Sequence, residues 1–286
     1  MYKTLSVTEI KQIMHAYGFY FKKNFGQNFL IDNHVLNKII ASANIGKEDA
    51  VLEVGPGIGC LTGALIQAAG SVTAVEIDNT LIPILKERFG SDENFTLIND
   101  DILKVDVARL FPKDNKVKVV ANLPYYITTP IVMGLLENCG NIESIIVMVQ
   151  KEVGQRMQAG PGSKDYGSLS LAVRYYADAE IVANVPQNCF IPKPNVDSIV
   201  VKLNVRETRP VNPADEALMF KLIRVAFSQR RKTLLNCIFN STDFNFNKEE
   251  IKVMLEKAGI NENIRGEALE LKDFAALANV VVLATQ

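Results

Sequence analysis

Seven short runs rich in β-branched residues recur before residue 206, and helix-like stretches separate the early ones. They are VLEV (51–54), VTAVEI (72–77), FTLIN (95–99), VKVVANL (117–123), SIIVMVQ (144–150), AEIVANV (179–185) and SIVVKLNV (198–205). The first few lie about twenty residues apart, with amphipathic segments such as LTGALIQAAG and NTLIPILKERF between them. Such alternation predicts an α/β fold with a doubly wound, mostly parallel sheet. Continuously apolar runs suit strands covered on both faces.

The character changes after Val205. RETRPVNPADEA carries two prolines and mixed charge and reads as a linker. Beyond it the patterns are helical: ALMFKLIRVAFSQRRKTLLNCIF, KEEIKVMLEKAGI and EALELKDFAALANVVV, with only the VVV near the end ambiguous. The expected organisation is a sheet domain over 1–206 and a small all-α domain over 207–286.

Composition narrows the function classes. With 286 residues, 48% hydrophobic and 22% charged, the chain has the makeup of a soluble globular protein with a sizeable core. A net charge of −1 means that any nucleic-acid surface must be a local patch. Cys60, Cys139, Cys189 and Cys237 form no CxxC pair, which argues against a zinc site or a disulfide framework. Reduced thiols in a cytoplasmic protein are expected. His15 and His34 are the only histidines, an unpromising basis for a metal site, so no metal is expected. The N-terminal MYKTLSVTEI lacks a signal-peptide core, and no apolar run approaches the roughly 20 residues of a membrane span.

VLEVGPGIGCLTGAL reads as strand, glycine-rich turn and helix. Gly55, Gly57 and Gly59 allow a sharp turn and close approach to a ligand, and the helix N-terminus faces whatever binds there. The spacing is GxGxG; the dinucleotide fingerprint GxGxxG would need glycine where Cys60 stands. The GK[ST] ending of a Walker A loop is also missing. An acidic neighbour, Glu53, suits the sulfonium and amino group of S-adenosylmethionine better than a pyrophosphate. Glu76 lies 21 residues after Gly55, where a carboxylate can accept both ribose hydroxyls and would repel a 2′-phosphate. In NDDIL, either Asp100 or Asp101 can accept from an adenine amino group.

NLPYYITTP (122–130) ends the fourth run beside that site. Methyl transfer to the N6 of adenine faces a weak nucleophile, because the nitrogen lone pair is delocalised into the ring. Acceptors aimed at the N6 hydrogens favour a tetrahedral nitrogen. The Asn122 side-chain oxygen and the Leu123 carbonyl are candidates, with Pro124 fixing the carbonyl's direction and Tyr125 stacking the base. No strong base is needed, since the proton becomes acidic once nitrogen is cationic. A base must leave its stack to arrive, and stacking on aromatic rings offsets much of that cost. Phe190, in the stiff loop NCFIPKPNVDS, is the expected ring on the opposite face.

At these motifs the sequence resembles the small-subunit (16S) ribosomal RNA adenine-N6,N6 dimethyltransferases, the KsgA/RsmA group, over nearly its whole length. NFGQNFLID, VLEVGPGIGCLT, VEID, NDDIL, NLPYYITTP, FIPKPNVDS and FSQRRKTLLN carry the resemblance. It implies a Rossmann-like class I methyltransferase fold with a seven-stranded sheet. It also implies roles: Asn28 and Leu30 closing over S-adenosylmethionine, Gly55 at its methionine end, Glu76 on the ribose, Asp101 rather than Asp100 at the adenine, and Asn122 touching cofactor and target. The implied substrate is two adjacent adenines in a hairpin loop near the 3′ end of 16S rRNA, within an assembling small subunit. A monomer is the simplest expectation. QRRKTLLN is implied to lie on a helix of the C-terminal domain.

That domain fits an RNA role. Between 217 and 242 there is no acidic residue, while Lys221, Arg224, Arg230, Arg231 and Lys232 supply five cations. Lys22 and Lys23 would extend the patch. Alternatives are a macrolide-resistance methyltransferase of the Erm type acting on the large subunit and a non-catalytic assembly factor. NFGQNFL, the VDS ending and QRRKTLLN favour the small-subunit group over Erm, and intact Asn122 and Tyr125 favour catalysis. The neutral Asn122 disfavours a DNA adenine methyltransferase of the Asp-Pro-Pro-Tyr kind.

Overall fold

The computed structural model describes residues 1–21, 26–112, 115–138 and 140–285. The chain divides into two compact units, Met1–Gly154 with Ala177–Val205, and Gln155–Tyr176 with Arg206–Gln286. The second unit therefore takes in Gln155–Tyr176, a segment that the sequence boundaries of 1–206 and 207–286 assign to the sheet domain.

The strands of the first unit are β1 (Phe29–Leu30), β2 (Ala50–Val54), β3 (Ser71–Glu76), β4 (Phe95–Asn99), β5 (Val117–Asn122), β6 (Ile142–Gln150), β7 (Ala177–Val185), β8 (Phe190–Ile191) and β9 (Ser198–Val205). Seven of them form one sheet in the order β4-β3-β2-β5-β6-β9-β7. Strands β2 to β6 pair in parallel, and β9 runs antiparallel to both β6 and β7. All seven coincide with the β-branched runs. The pair β1–β8 is separate and antiparallel, with Leu30 opposite Phe190. Two-residue strands carry no period, so no local pattern announces them.

Burial follows position in the sheet. The first five residues of β5, in the middle, are buried, whereas β4 at the edge is mostly half-exposed. Lys118 is the polar exception in β5. Its ammonium donates to the Asn44 carbonyl at 2.6 Å and pairs with Asp49 at 2.8 Å.

Helices α1 (Val7–Ala16), α2 (Asn33–Ala43), α3 (Thr62–Ala68), α4 (Ile82–Phe89), α5 (Val107–Leu110) and α6 (Thr128–Asn138) belong to this unit. Asp32 starts α2 by accepting the Val35 N–H at 2.9 Å, the expected role of an N-cap carboxylate. Val35, Leu36, Ile39, Ile40 and Ala43 recur at helical spacing and are buried. They pack α2 on β6, β7 and β9. Each large apolar side chain so buried contributes roughly 1.5–3 kcal/mol relative to exposure.

Helix α7 (Lys151–Gln158) passes from the first unit into the second, which also holds α8 (Ser168–Tyr176), α9 (Glu216–Ser228), α10 (Leu234–Phe239), α11 (Lys248–Lys257) and α12 (Leu271–Thr285). No strand occurs in this unit among the described residues, and the ambiguous VVV lies inside α12. Phe274, Leu277, Ala278 and Val281 are its buried face, a helical rather than alternating pattern. The segment before β7 is tied in by Tyr166, whose buried hydroxyl donates to the Leu269 carbonyl at 2.8 Å. Tyr175 and Tyr176 both donate to the Glu216 carboxylate.

Candidate active site

The sheet order places the site. From β2 the chain steps outward through β3 to β4, then returns to β5 on the other side of β2. Connections diverge there, and the crevice beyond the strand ends is where open α/β sheets bind ligands. A cleft occupies it, lined by the glycine loop, the end of β3, Asp100–Ile102, Asn122–Ile127 and residues Gly26–Leu30.

The loop after β2 has the left-handed backbone that its glycines permit, with φ of +66° at Gly55 and +64° at Gly57. A Cβ on Gly57 would stand 2.8 Å from the Phe29 ring, so only glycine lets that ring lie against the loop. Phe29 in turn packs in a cluster with Ile10 of α1, Ile58, Cys60, Leu81 and Ile84, so α1 buttresses the loop from outside the sheet. Burial pushes the Cys60 thiol up to about 12, which makes it an inert core group.

Glu76 ends β3 and is buried. Its oxygens accept the N–H groups of Gly57 at 3.0 Å and Asp78 at 2.8 Å. Burial pushes its carboxyl up to about 7, against the pull of the backbone donors. A carboxylate offers about four acceptor positions, so capacity remains for a ligand's hydroxyls. Glu53 is more deeply enclosed and does not line the cleft, and burial pushes its carboxyl up to about 8. Both Asp100 and Asp101 line the cleft. Asp101 accepts the Leu103 N–H at 3.0 Å, and Asp100 accepts the N–H of Asp101.

Asn122 ends β5 with its Nδ2 donating to the Asn28 carbonyl at 2.8 Å. That bond orients the amide and leaves Oδ1 as the acceptor. The Leu123 N–H donates to the Met148 carbonyl at 3.1 Å, holding this peptide against β6. Pro124, with φ −60°, leads into a 3-10 turn over Tyr125–Ile127. The Tyr125 hydroxyl shares a 2.6 Å hydrogen bond with Ser198, and burial raises its pKa.

The cleft thus gathers Asn28, Leu30, Gly55, Glu76, Asp101, Asn122, Leu123, Pro124 and Tyr125. Phe190 is the exception. Its ring is 4% exposed in the core cluster that holds Leu30, Val185 and Cys189, and it does not line the cleft. Packed there, it does not present the opposite stacking face expected of it. Gln27 and Tyr126 line the cleft although sequence reasoning did not single them out. Gln27 donates to the buried Asp78 at 3.0 Å, linking the QNFL segment to the end of β3. Its place inside QNFL was the available signal.

In the helical unit the basic residues are not all alike. Lys221 sits over the Phe244 ring at 5.6 Å, and Arg230 donates to the Tyr166 carbonyl at 2.9 Å. Arg224, Arg231 and Lys232 are exposed. The stretch QRRKT is a turn between α9 and α10, not part of a helix, because Thr233 caps α10 by accepting the Asn236 N–H. Lys22 and Lys23 lie outside the described residues, as does Cys139. Among the described residues no three His, Cys, Asp or Glu side chains are grouped to hold a metal, and no helix is long and apolar enough to cross a membrane.

Comparison with known proteins bears on this geometry. The family pattern described as ribosomal RNA adenine dimethylase matches residues 18–282. A ribosomal RNA small subunit methyltransferase A of Lachnoclostridium phytofermentans is 57% identical over 274 residues, covering 94% of each chain. The crystal structure of a dimethyladenosine transferase from Plasmodium falciparum superposes with a TM-score of 0.72 at 30% identity, covering 87% of this chain and 95% of that one. The 23S rRNA methyltransferase ErmE superposes at 0.66 with 24% identity, covering 89% and 100%, a likeness of fold alone.

Proposed function

We infer the function from one premise: the chain belongs to the ribosomal RNA adenine dimethylase family. It is an enzyme that methylates N6 of adenine in ribosomal RNA of the small subunit. The acceptors are two adjacent adenosines in the 3′-terminal hairpin loop of 16S rRNA, each taken to the dimethyl form within an assembling subunit. S-adenosylmethionine, when bound, supplies the methyl group from its sulfonium. The cleft suits it: Glu76 keeps acceptor capacity for ribose hydroxyls, the glycine loop leaves room for the methionine end, and Asp101 can accept from the adenine amino group.

One observation carries the chemistry, the hydrogen bond from Asn122 Nδ2 to the Asn28 carbonyl. It leaves Oδ1 as an acceptor for one N6 hydrogen of the target. The Leu123 carbonyl accepts the other; its direction is set by the Pro124 ring that follows, while Met148 holds the preceding peptide through the Leu123 N–H. With both hydrogens drawn out of the ring plane, the nitrogen lone pair is released toward the incoming methyl. The extra proton then leaves to solvent. Tyr125, held by Ser198, offers its ring to the base.

The test uses purified protein, labelled S-adenosylmethionine and small subunits lacking the modification, with large subunits alongside. Mass spectrometry of digested rRNA should find N6,N6-dimethyladenosine at two adjacent positions near the 3′ end of 16S rRNA. Label confined to large-subunit RNA would instead assign the protein to the Erm group. Asn122→Ala should bind subunits yet slow transfer by about 10²–10³-fold, the scale of removing one preorganised polar group from a transition state. Full activity in that variant would remove Asn122 from the mechanism.

A further inference from the structure

Tyr125 and Tyr126 are consecutive and line the same cleft, but they meet different surroundings. Tyr125 is half-buried, with its hydroxyl on Ser198. Tyr126 is 58% exposed, a large aromatic surface left to water at the edge of a binding cleft. The backbone that carries it is fixed. Its turn is closed by the Ile127 N–H at 3.3 Å and the Thr128 hydroxyl at 3.0 Å, both on the Pro124 carbonyl. Gly26, with φ +57°, passes beside the ring: a Cβ added there would already be in contact with it, 3.5 Å from Tyr126 Cδ1. Gly26 thus flanks one edge of a side chain that is otherwise mostly exposed.

We propose that Tyr126 is a stacking subsite for the nucleotide flanking the target adenine in the RNA strand. The proposal rests on the reading that an unpaired RNA adenine enters this cleft. Once that base is drawn onto Asn122, the adjoining nucleotide is pulled past the cleft mouth and loses its own stacking partner. An exposed ring carried on a hydrogen-bonded turn at that point replaces the partner. Every base has a π-face, so the subsite holds the strand without reading its sequence. Tyr126 then acts on RNA binding and register, separately from the cofactor side of the cleft.

The experiment compares wild type, Tyr126→Ala and Tyr126→Phe on small subunits lacking the modification, at saturating S-adenosylmethionine, with cofactor affinity measured by calorimetry. Tyr126→Ala should raise KM for subunits by at least about fivefold, the lower edge of what one aromatic stack returns. Its KM should change more than its kcat, with cofactor affinity held. Tyr126→Phe should restore the wild-type KM. An unchanged KM in the alanine variant overturns the proposal, as does a phenylalanine variant as weak as alanine, which would point to the hydroxyl. Weakened cofactor binding in Tyr126→Ala also overturns it, since the residue would then be supporting the turn. If wild type methylates no small-subunit adenine, the underlying reading fails and takes the subsite with it; an active wild type matched by Tyr126→Ala refutes the subsite alone.

Discussion

Glu76 accepts two backbone N–H groups and still has its carboxyl pushed up to about 7 by burial. The sign of the consequence differs between stability and binding. An unfolded chain ionises this group near 4.5, so the folded form loses stability as pH rises from there toward about 7. In the proposed binding mode, in contrast, ribose hydroxyls donate to the ionised form. The dissociation constant for S-adenosylmethionine should therefore rise about tenfold per pH unit below about 7 and level off above it. Calorimetric titration from about pH 5 to about pH 8 checks this, and a flat profile would separate Glu76 from the ribose. The place of Glu76, at a strand end beside the glycine loop, was legible because strand, spacing and side-chain chemistry agree locally. Phe190 was not, because an aromatic beside prolines looks the same whether it faces a ligand or the core. What decides is the core cluster it joins, with Leu36, Ile40 and Ile146 far away in the chain.

At the scale of elements, the seven strands of the main sheet were legible because each is its own apolar run. The turn between α9 and α10 was obscured by helix formers on both sides, although Thr233 carried the capping signal. The buried lysine of β5 is a second feature that no run of residues announces. Lys118 and Asp49 lie 69 residues apart and meet only when β5 pairs beside β2. Asp49→Ala would leave the Lys118 ammonium in the sheet with only the Asn44 carbonyl, at a cost of about 3 kcal/mol. Urea unfolding should show that loss, and Lys118→Met in the same background should recover much of it. A single substitution costing under about 0.5 kcal/mol, the range of ordinary surface changes, would contradict the pairing.

At the scale of the molecule, a chain of net charge −1 must concentrate its RNA affinity. Exposed Arg231 and Lys232 in the α9–α10 turn are suited to phosphates, whereas Arg230 is already engaged by Tyr166. Replacing both Arg231 and Lys232 by alanine should flatten the salt dependence of subunit binding, by about 0.7–0.9 in logarithmic slope for each phosphate no longer neutralised. Affinities measured across a salt series would show it, and an unchanged slope would place these side chains away from RNA. The unit boundaries were the least legible feature. An amphipathic stretch between two strands reads as a crossover helix, and nothing local reveals that Gln155–Tyr176 belongs with residues made much later.

That interleaving has a consequence for how the protein is made. Translation releases the chain from its N-terminus, and Tyr166 leaves the ribosome 103 residues before the carbonyl it will bond. At about 5–20 residues per second the wait is about 5–20 s. Through that interval the nascent chain carries the segment around α8 without Leu269, while β7 and β9 arrive to close the sheet. Tyr175 and Tyr176 wait less, since Glu216 follows them by only 41 and 40 residues, so this segment joins the helical unit in two stages, first through Glu216 and last through Leu269.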